Sequence, residues 1–277
     1  MVRRLSGAGY RVLAHDLDPG ALKRACEASG AEASGSLSAI GERCEAVITM
    51  LPDGGAVRAV TLGRNGTGDS LLAGLSRDSV LIDMSSSSPV GTRDLGAHLA
   101  GRGVDMLDAP VSGGVRKAED ATLSIMVGGS ARSIARCKPL LETMGKQIFL
   151  TGPLGSGHAM KALNNYVSAA GLAAAAEAVL VGQRFGLDPT TIVDILNAST
   201  GRNNATENKL KQFILSKTFA SGFSAALMAK DVRTADELGA AIGVATPLAE
   251  ACAVLWGEAA ARLGPNADHT EYGREKQ

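Results

Sequence analysis

Lys161 and Asn165 stand four apart in GSGHAMKALNNYVSAAGLAAAAEAVLVGQR, residues 155–184. A lysine whose ammonium is desolvated can lose its preference for the charged form and move a proton as general acid or base. An amide one helical turn further on could orient a substrate hydroxyl or the lysine itself. His158, Asn164 and Ser168 lie three, three and seven positions from Lys161, so on a helix they share its face. The competing reading of Lys161 is a surface lysine snorkelling at a helix start. His158 reads as structural, as do His15, His98 and His269.

Three other places could do chemistry. Ser112-Gly113-Gly114 offers successive backbone N–H groups and a hydroxyl, a nest suited to a carboxylate or phosphate, or else a plain turn. Asp16 follows an apolar strand run, where a carboxylate can bond a ribose 2′-hydroxyl and repel a 2′-phosphate, favouring NAD over NADP if a dinucleotide binds. It could equally be a turn residue, with Asp18 before Pro19 the better helix cap. Lys230-Asp231 reads by default as an exposed ion pair, and Arg202 in the polar run Ser199–Asn204 as a pocket residue or a solvated loop.

The elements that must position these groups are legible in outline. Strand runs Arg11–His15, Ala46–Leu51, Val80–Met84, Val104–Leu107, Leu123–Val127 and Gln147–Leu150 alternate with helical stretches, and Ala31–Glu32 makes a shorter one. That alternation predicts an α/β fold with a doubly wound, largely parallel sheet over residues 1–152. Ligands of such sheets sit beyond the carboxyl ends of the strands, here Asp16, Leu51-Pro52-Asp53, Asp83–Ser88 and Asp108–Gly114. Residues 155–184 predict one helix of about 45 Å, buried and apolar all round beyond its polar start. Pro189–Ala198, Ala205–Leu215, Ser224–Ile242 and Pro247–Leu263 read as further helices, giving an all-α domain over 153–277.

Composition narrows the function classes. The 277 residues carry 28 basic and 28 acidic side chains, so no global field favours nucleic acid or an anionic membrane. No clear membrane helix or secretory leader is read, and Cys26, Cys44, Cys137 and Cys252 match no zinc spacing. Reduced, buried thiols in a cytosolic protein are the expectation, with no metal.

Four motifs in order resemble the β-hydroxyacid dehydrogenases, the group of 3-hydroxyisobutyrate dehydrogenase and tartronate semialdehyde reductase. They are IDMSSSSP (82–89), DAPVSGG (108–114) with TLSIMVGG (122–129), GSGHAMKALNN (155–165) and MAKD (228–231). The resemblance implies an NAD(P)-dependent oxidoreductase with a Rossmann-like domain and an all-α domain joined by the long helix. It implies a small 3-hydroxy acid substrate, Lys161 as catalytic acid/base and Asn165 beside it. It also implies that Ser112, Gly113 and Gly114 hold the substrate carboxylate. Leu51, Pro52 and Ser86 would line the cofactor, with Lys230 near its nicotinamide end. A homodimer or homotetramer follows from the same resemblance.

Lys117 and Ala121 stand where the family often has glycine, the second a small change. The family opens with a strand, a Gly-x-Gly-x-x-Gly turn and a helix. Here Met1–Leu5 reads as the later half of that helix, so on the order of 15–20 residues are expected to be absent by N-terminal truncation. The absent strand would be central, leaving both neighbours short of a ladder partner. A second reading follows: a non-catalytic truncated paralogue serving as an anion-binding or scaffold subunit. A decarboxylating sugar-acid phosphate dehydrogenase is disfavoured, since no arginine-rich phosphate clamp is visible.

Overall fold

The computed structural model describes residues 1–64 and 66–275. The chain divides into two compact units, 1–161 and 162–277, and the division falls inside the long helix, just after Lys161.

The first unit is α/β. Its strands are β1 (Leu13–Ala14), β2 (Glu32–Ala33), β3 (Ala46–Thr49), β4 (Val80–Asp83), β5 (Asp105–Asp108), β6 (Val111–Ser112), β7 (Leu123–Gly128) and β8 (Gly145–Gly152). β3, β4 and β5 are parallel neighbours, and β7 and β8 form a second parallel pair. β7 runs antiparallel to both β5 and β6, so the larger sheet is mixed. β1 and β2 pair with each other in a separate two-stranded sheet. Among the described residues, β1 has no ladder partner other than β2, and β3 none other than β4.

β4 shows why this sheet holds. All four of its residues are buried, as a strand covered on both faces should be. Val80 and Ile82 join a core with Leu5, Leu107, Cys137 and Leu141, while Leu81 points the other way among Val57, Leu71, Leu95 and Leu99. The period-two alternation thus fills two cores, one on each face. Local chemistry sets the helix starts: Asp18, Ser36, Asp53, Ser88 and Ser130 each accept a backbone N–H two or three residues on.

The second unit is all-helical. It holds most of the long helix Ser156–Phe185, then Pro189–Ala198, Asn204–Asn208, Leu210–Leu215, Ala225–Ala241, Pro247–Leu263 and a short C-terminal turn, His269–Glu275. Its core packs Ala169, Leu172, Ala173, Ala176 and Val179 against Val193, Leu210, Met228, Val232 and Trp256. The indole N–H of Trp256 donates to the carbonyl of Ala169 at 3.3 Å.

Two expectations are corrected here. The long helix is not buried all round: Met160, Leu163, Val167, Val181 and Phe185 are exposed, at spacings of three, four, fourteen (about four turns) and four residues. By length and composition alone it could cross a membrane, a test that core helices of soluble proteins also pass. Cys137 and Cys252 are buried free thiols, but Cys26 and Cys44 are only half-buried.

Candidate active site

Lys161 and Asn165 are both buried, at 8% and 7% exposure, which rules out the snorkelling surface lysine. The start of their helix is fixed by a network inside the α/β unit. The carboxylate of Asp108, at the end of β5, accepts the backbone N–H of Gly155 and of His158, each at 2.7 Å. It thereby satisfies two of the donors that a helix N-terminus leaves free. Gly157 permits the close seat: a Cβ there would lie 2.4 Å from the Met126 carbonyl and 2.9 Å from Oδ2 of Asp108.

His158 ties that first turn to the loop after β4. Its Nε2 faces the Ser85 carbonyl at 3.1 Å, so Nε2 carries a proton and donates. Its Nδ1 lies 2.8 Å from Oγ1 of Thr92, on the helix that follows the serine loop. Asp83 holds the loop from below, accepting the Thr49 hydroxyl, the Ser85 N–H and the Ser87 hydroxyl at 3.0, 3.0 and 2.6 Å. Ser85 Oγ in turn accepts the N–H of Leu51 at 2.9 Å. Hydrogen bonds therefore run from Leu51 through Ser85 to His158, one turn before Lys161. His158, expected to be structural, is buried and ties the helix start to the serine loop.

The remaining predicted residues fall in separate places. Pro52 is exposed and Ser86 half-buried, at the ends of the adjacent parallel strands β3 and β4. Asp16 is exposed beyond β1 and accepts the Asp18 N–H at 2.8 Å, so it does serve the turn, with one carboxylate oxygen in that bond. Asp18 caps its helix through Gly20 N at 2.8 Å.

Ser112 ends β6, and Gly113 and Gly114 adopt φ of 133° and 67°, a conformation that side-chain-bearing residues rarely take. The glycines are exposed, and the Lys117 side chain lies over Gly113. The neighbouring change is larger than the sequence suggested: Ala121 is held at φ 57°, where glycine is at ease and alanine is strained.

In the helical unit, Asn165 donates its amide to Asp231 at 2.6 Å. Lys230 lies 3.8 Å from the same carboxylate, with side-chain exposures of 19% and 5%. The exposed surface pair expected for Lys230-Asp231 is therefore replaced by a largely buried one that includes Asn165. Arg202 pairs with Glu207 at 3.7 Å on an exposed stretch, as a solvated loop would.

The comparisons with known proteins agree over nearly the whole chain. Residues 1–152 match the family described as the NAD binding domain of 6-phosphogluconate dehydrogenase. Residues 155–274 match the one described as NAD-binding of NADP-dependent 3-hydroxyisobutyrate dehydrogenase. The chain is 37% identical to 2-(hydroxymethyl)glutarate dehydrogenase of Eubacterium barkeri, over 95% of this chain and 86% of that protein. It is 38% identical to 3-hydroxyisobutyrate dehydrogenase of Pseudomonas aeruginosa, over 90% and 84%. The solved 3-hydroxyisobutyrate dehydrogenase of Mycobacterium tuberculosis with L-serine superposes with a TM-score of 0.90 at 32% identity, covering 99% of this chain and 93% of that one.

Proposed function

Because the chain belongs to the β-hydroxyacid dehydrogenase family, we propose that it is an NAD(P)-dependent oxidoreductase acting on the hydroxyl of a small 3-hydroxy acid, with Lys161 as general acid/base. The observation that carries this reading is a buried lysine on a helix whose first turn is clamped by Asp108 and His158. A nicotinamide cofactor supplies the hydride acceptor. Asp16, Leu51, Pro52 and Ser86 are the residues of the α/β unit assigned to hold it. They fit: Asp16 offers an exposed carboxylate, and the other three lie at the carboxyl ends of neighbouring parallel strands.

In oxidation, Lys161 in its amine form accepts the hydroxyl proton as hydrogen leaves the carbinol carbon with its electron pair, and a carbonyl remains. In reduction, the Lys161 ammonium returns the proton to the alkoxide oxygen. Ser112 and the N–H groups of Gly113 and Gly114 are assigned the substrate carboxylate, which fixes the orientation of the reacting carbon. Asn165, one turn beyond Lys161 on the same helix, is assigned to orient the lysine or the substrate hydroxyl, and the family resemblance assigns Lys230 to the nicotinamide end.

Asp16 favours NAD over NADP, since its carboxylate would repel a 2′-phosphate. The exposed apolar stripe on the long helix supports a homodimer or homotetramer. Four free thiols suit the cytosol. The test is an assay of NAD and NADP reduction with 3-hydroxyisobutyrate, L-serine and 2-(hydroxymethyl)glutarate. Reduction of NAD with at least one of them is expected; no reduction of either cofactor with any of them would overturn the reading.

A further inference from the structure

The helical unit holds a half-buried cluster around the buried His269 that the proposed chemistry does not use. The Lys209 ammonium donates to Ser168 Oγ at 3.2 Å and contacts Nε2 of His269 at 2.9 Å. Nδ1 of His269 lies 2.9 Å from the carbonyl of Phe223, an acceptor only, so the ring proton sits on Nδ1 and Nε2 accepts from Lys209. His269 is 2% exposed, and burial first, then the Lys209 charge, push its pKa down to about 4. It is therefore neutral near pH 7 and gives Lys209 no counter-charge.

The nearest acid gives little more. Asp268 already accepts from the hydroxyls of Ser221 and Thr270 and from the N–H groups of Gly222, Phe223 and Thr270. Among the described residues, no carboxylate comes within ion-pair distance of Lys209. A half-buried cation whose neighbours are a neutral imidazole and a hydroxyl is better satisfied when an anion joins it. One of its three N–H groups remains for such a partner. Ser168, which accepts from Lys209, has its own hydroxyl proton to donate to the same group.

We propose that Lys209 and Ser168 form an anion subsite that selects hydroxy acids carrying a second carboxylate. This rests on the dehydrogenase reading above. Ser168 lies three residues beyond Asn165 on one helix, about 4.5 Å along its axis. A carboxylate at the subsite therefore sits one turn from the amide assigned to the reacting end. The substrate class is a 3-hydroxy acid with a distal carboxylate several bonds from the carbinol, and a neutral alkyl tail in its place is the disfavoured alternative.

The test compares 2-(hydroxymethyl)glutarate with 2-(hydroxymethyl)pentanoate, which replaces the distal carboxylate by a methyl group. Wild type should prefer the diacid in kcat/KM. Lys209→Met should erase that preference by about tenfold or more while leaving turnover of the monoacid near wild type, the loss of one charge-assisted bond. Lys209→Arg should keep much of it, and Ser168→Ala, which does not threaten folding, should lower it in part. A preference unchanged in both Lys209→Met and Ser168→Ala would overturn the subsite and leave the dehydrogenase reading intact. If neither acid is oxidised, and 3-hydroxyisobutyrate and L-serine are not oxidised either, the dehydrogenase reading fails. Calorimetric titration with glutarate and pentanoate then decides the subsite alone: glutarate binding that Lys209→Met abolishes supports it, and equal or absent binding overturns it.

Discussion

Asp108 accepts the backbone N–H of His158 at 2.7 Å, and this one bond joins the end of β5 to the helix that carries Lys161. The carboxylate is fully buried and also takes the N–H of Gly155. Asp108→Ala would strand two buried donors and remove a charge at a helix N-terminus. A loss of about 2–4 kcal/mol in urea unfolding is expected, together with lower kcat. Unfolding within experimental error of wild type would mean the cap contributes nothing.

Ala121 closes the helix Gly114–Glu119 in a left-handed conformation, φ 57°, with Thr122 N donating back to the Lys117 carbonyl at 2.9 Å. Glycine removes the Cβ clash there but loses more entropy on folding. The net expectation for Ala121→Gly is a gain of roughly 0.5–1 kcal/mol, read as a rise in the denaturation midpoint. A fall in that midpoint would contradict the strain argument.

His269 links stability to pH. Its folded pKa, about 4, lies below the usual 6.5, so between those values the unfolded chain binds the proton first. The stability it provides is present above about pH 6.5 and is lost as pH falls towards 4. Lys209 repels the protonated ring, Asp268 attracts it, and Phe223 and Ser221 contact it through oxygen. By pH 5 the loss should be about 2 kcal/mol. Urea titrations at pH 7 and pH 5 check this, and His269→Asn should flatten the difference. An equal pH slope in that variant would place the effect elsewhere.

The proposed preference for NAD over NADP rests on Asp16. Asp16→Asn removes the charge expected to repel a 2′-phosphate while keeping an acceptor for the Asp18 N–H. The NADP-to-NAD ratio of kcat/KM should rise about tenfold. An unchanged ratio would assign cofactor choice to other residues.

Some of this was legible in the sequence for plain physical reasons. Val80–Asp83 is a short apolar run ended by a polar loop, and Pro189–Ala198 and Pro247–Leu263 begin at prolines that fix helix starts. The fold class followed from such runs; the burial of Lys161 did not, since a lysine near a helix start reads equally well as buried or as snorkelling at the surface. What stayed hidden depends on distant partners. Val111–Ser112 is a strand only because it pairs with Ile125 and Ser124. The π-helical turn Leu210–Leu215 has no local signature. Asp108 read as a strand end, though its work is to cap a helix 47 residues on. Lys209 and His269 are 60 residues apart, and neither sits in a motif. The exposed stripe of the long helix was misread because a helix that is apolar all round looks the same whether its outer face meets its own chain or something else.

The most direct measurement is single-turnover kinetics of Lys161→Met beside wild type, with NADH affinity followed by fluorescence titration on the same samples. A general acid/base predicts hydride transfer slowed by roughly a hundredfold or more and nearly unchanged NADH affinity. Hydride transfer at the wild-type rate in a variant that still binds NADH would contradict the role given to Lys161.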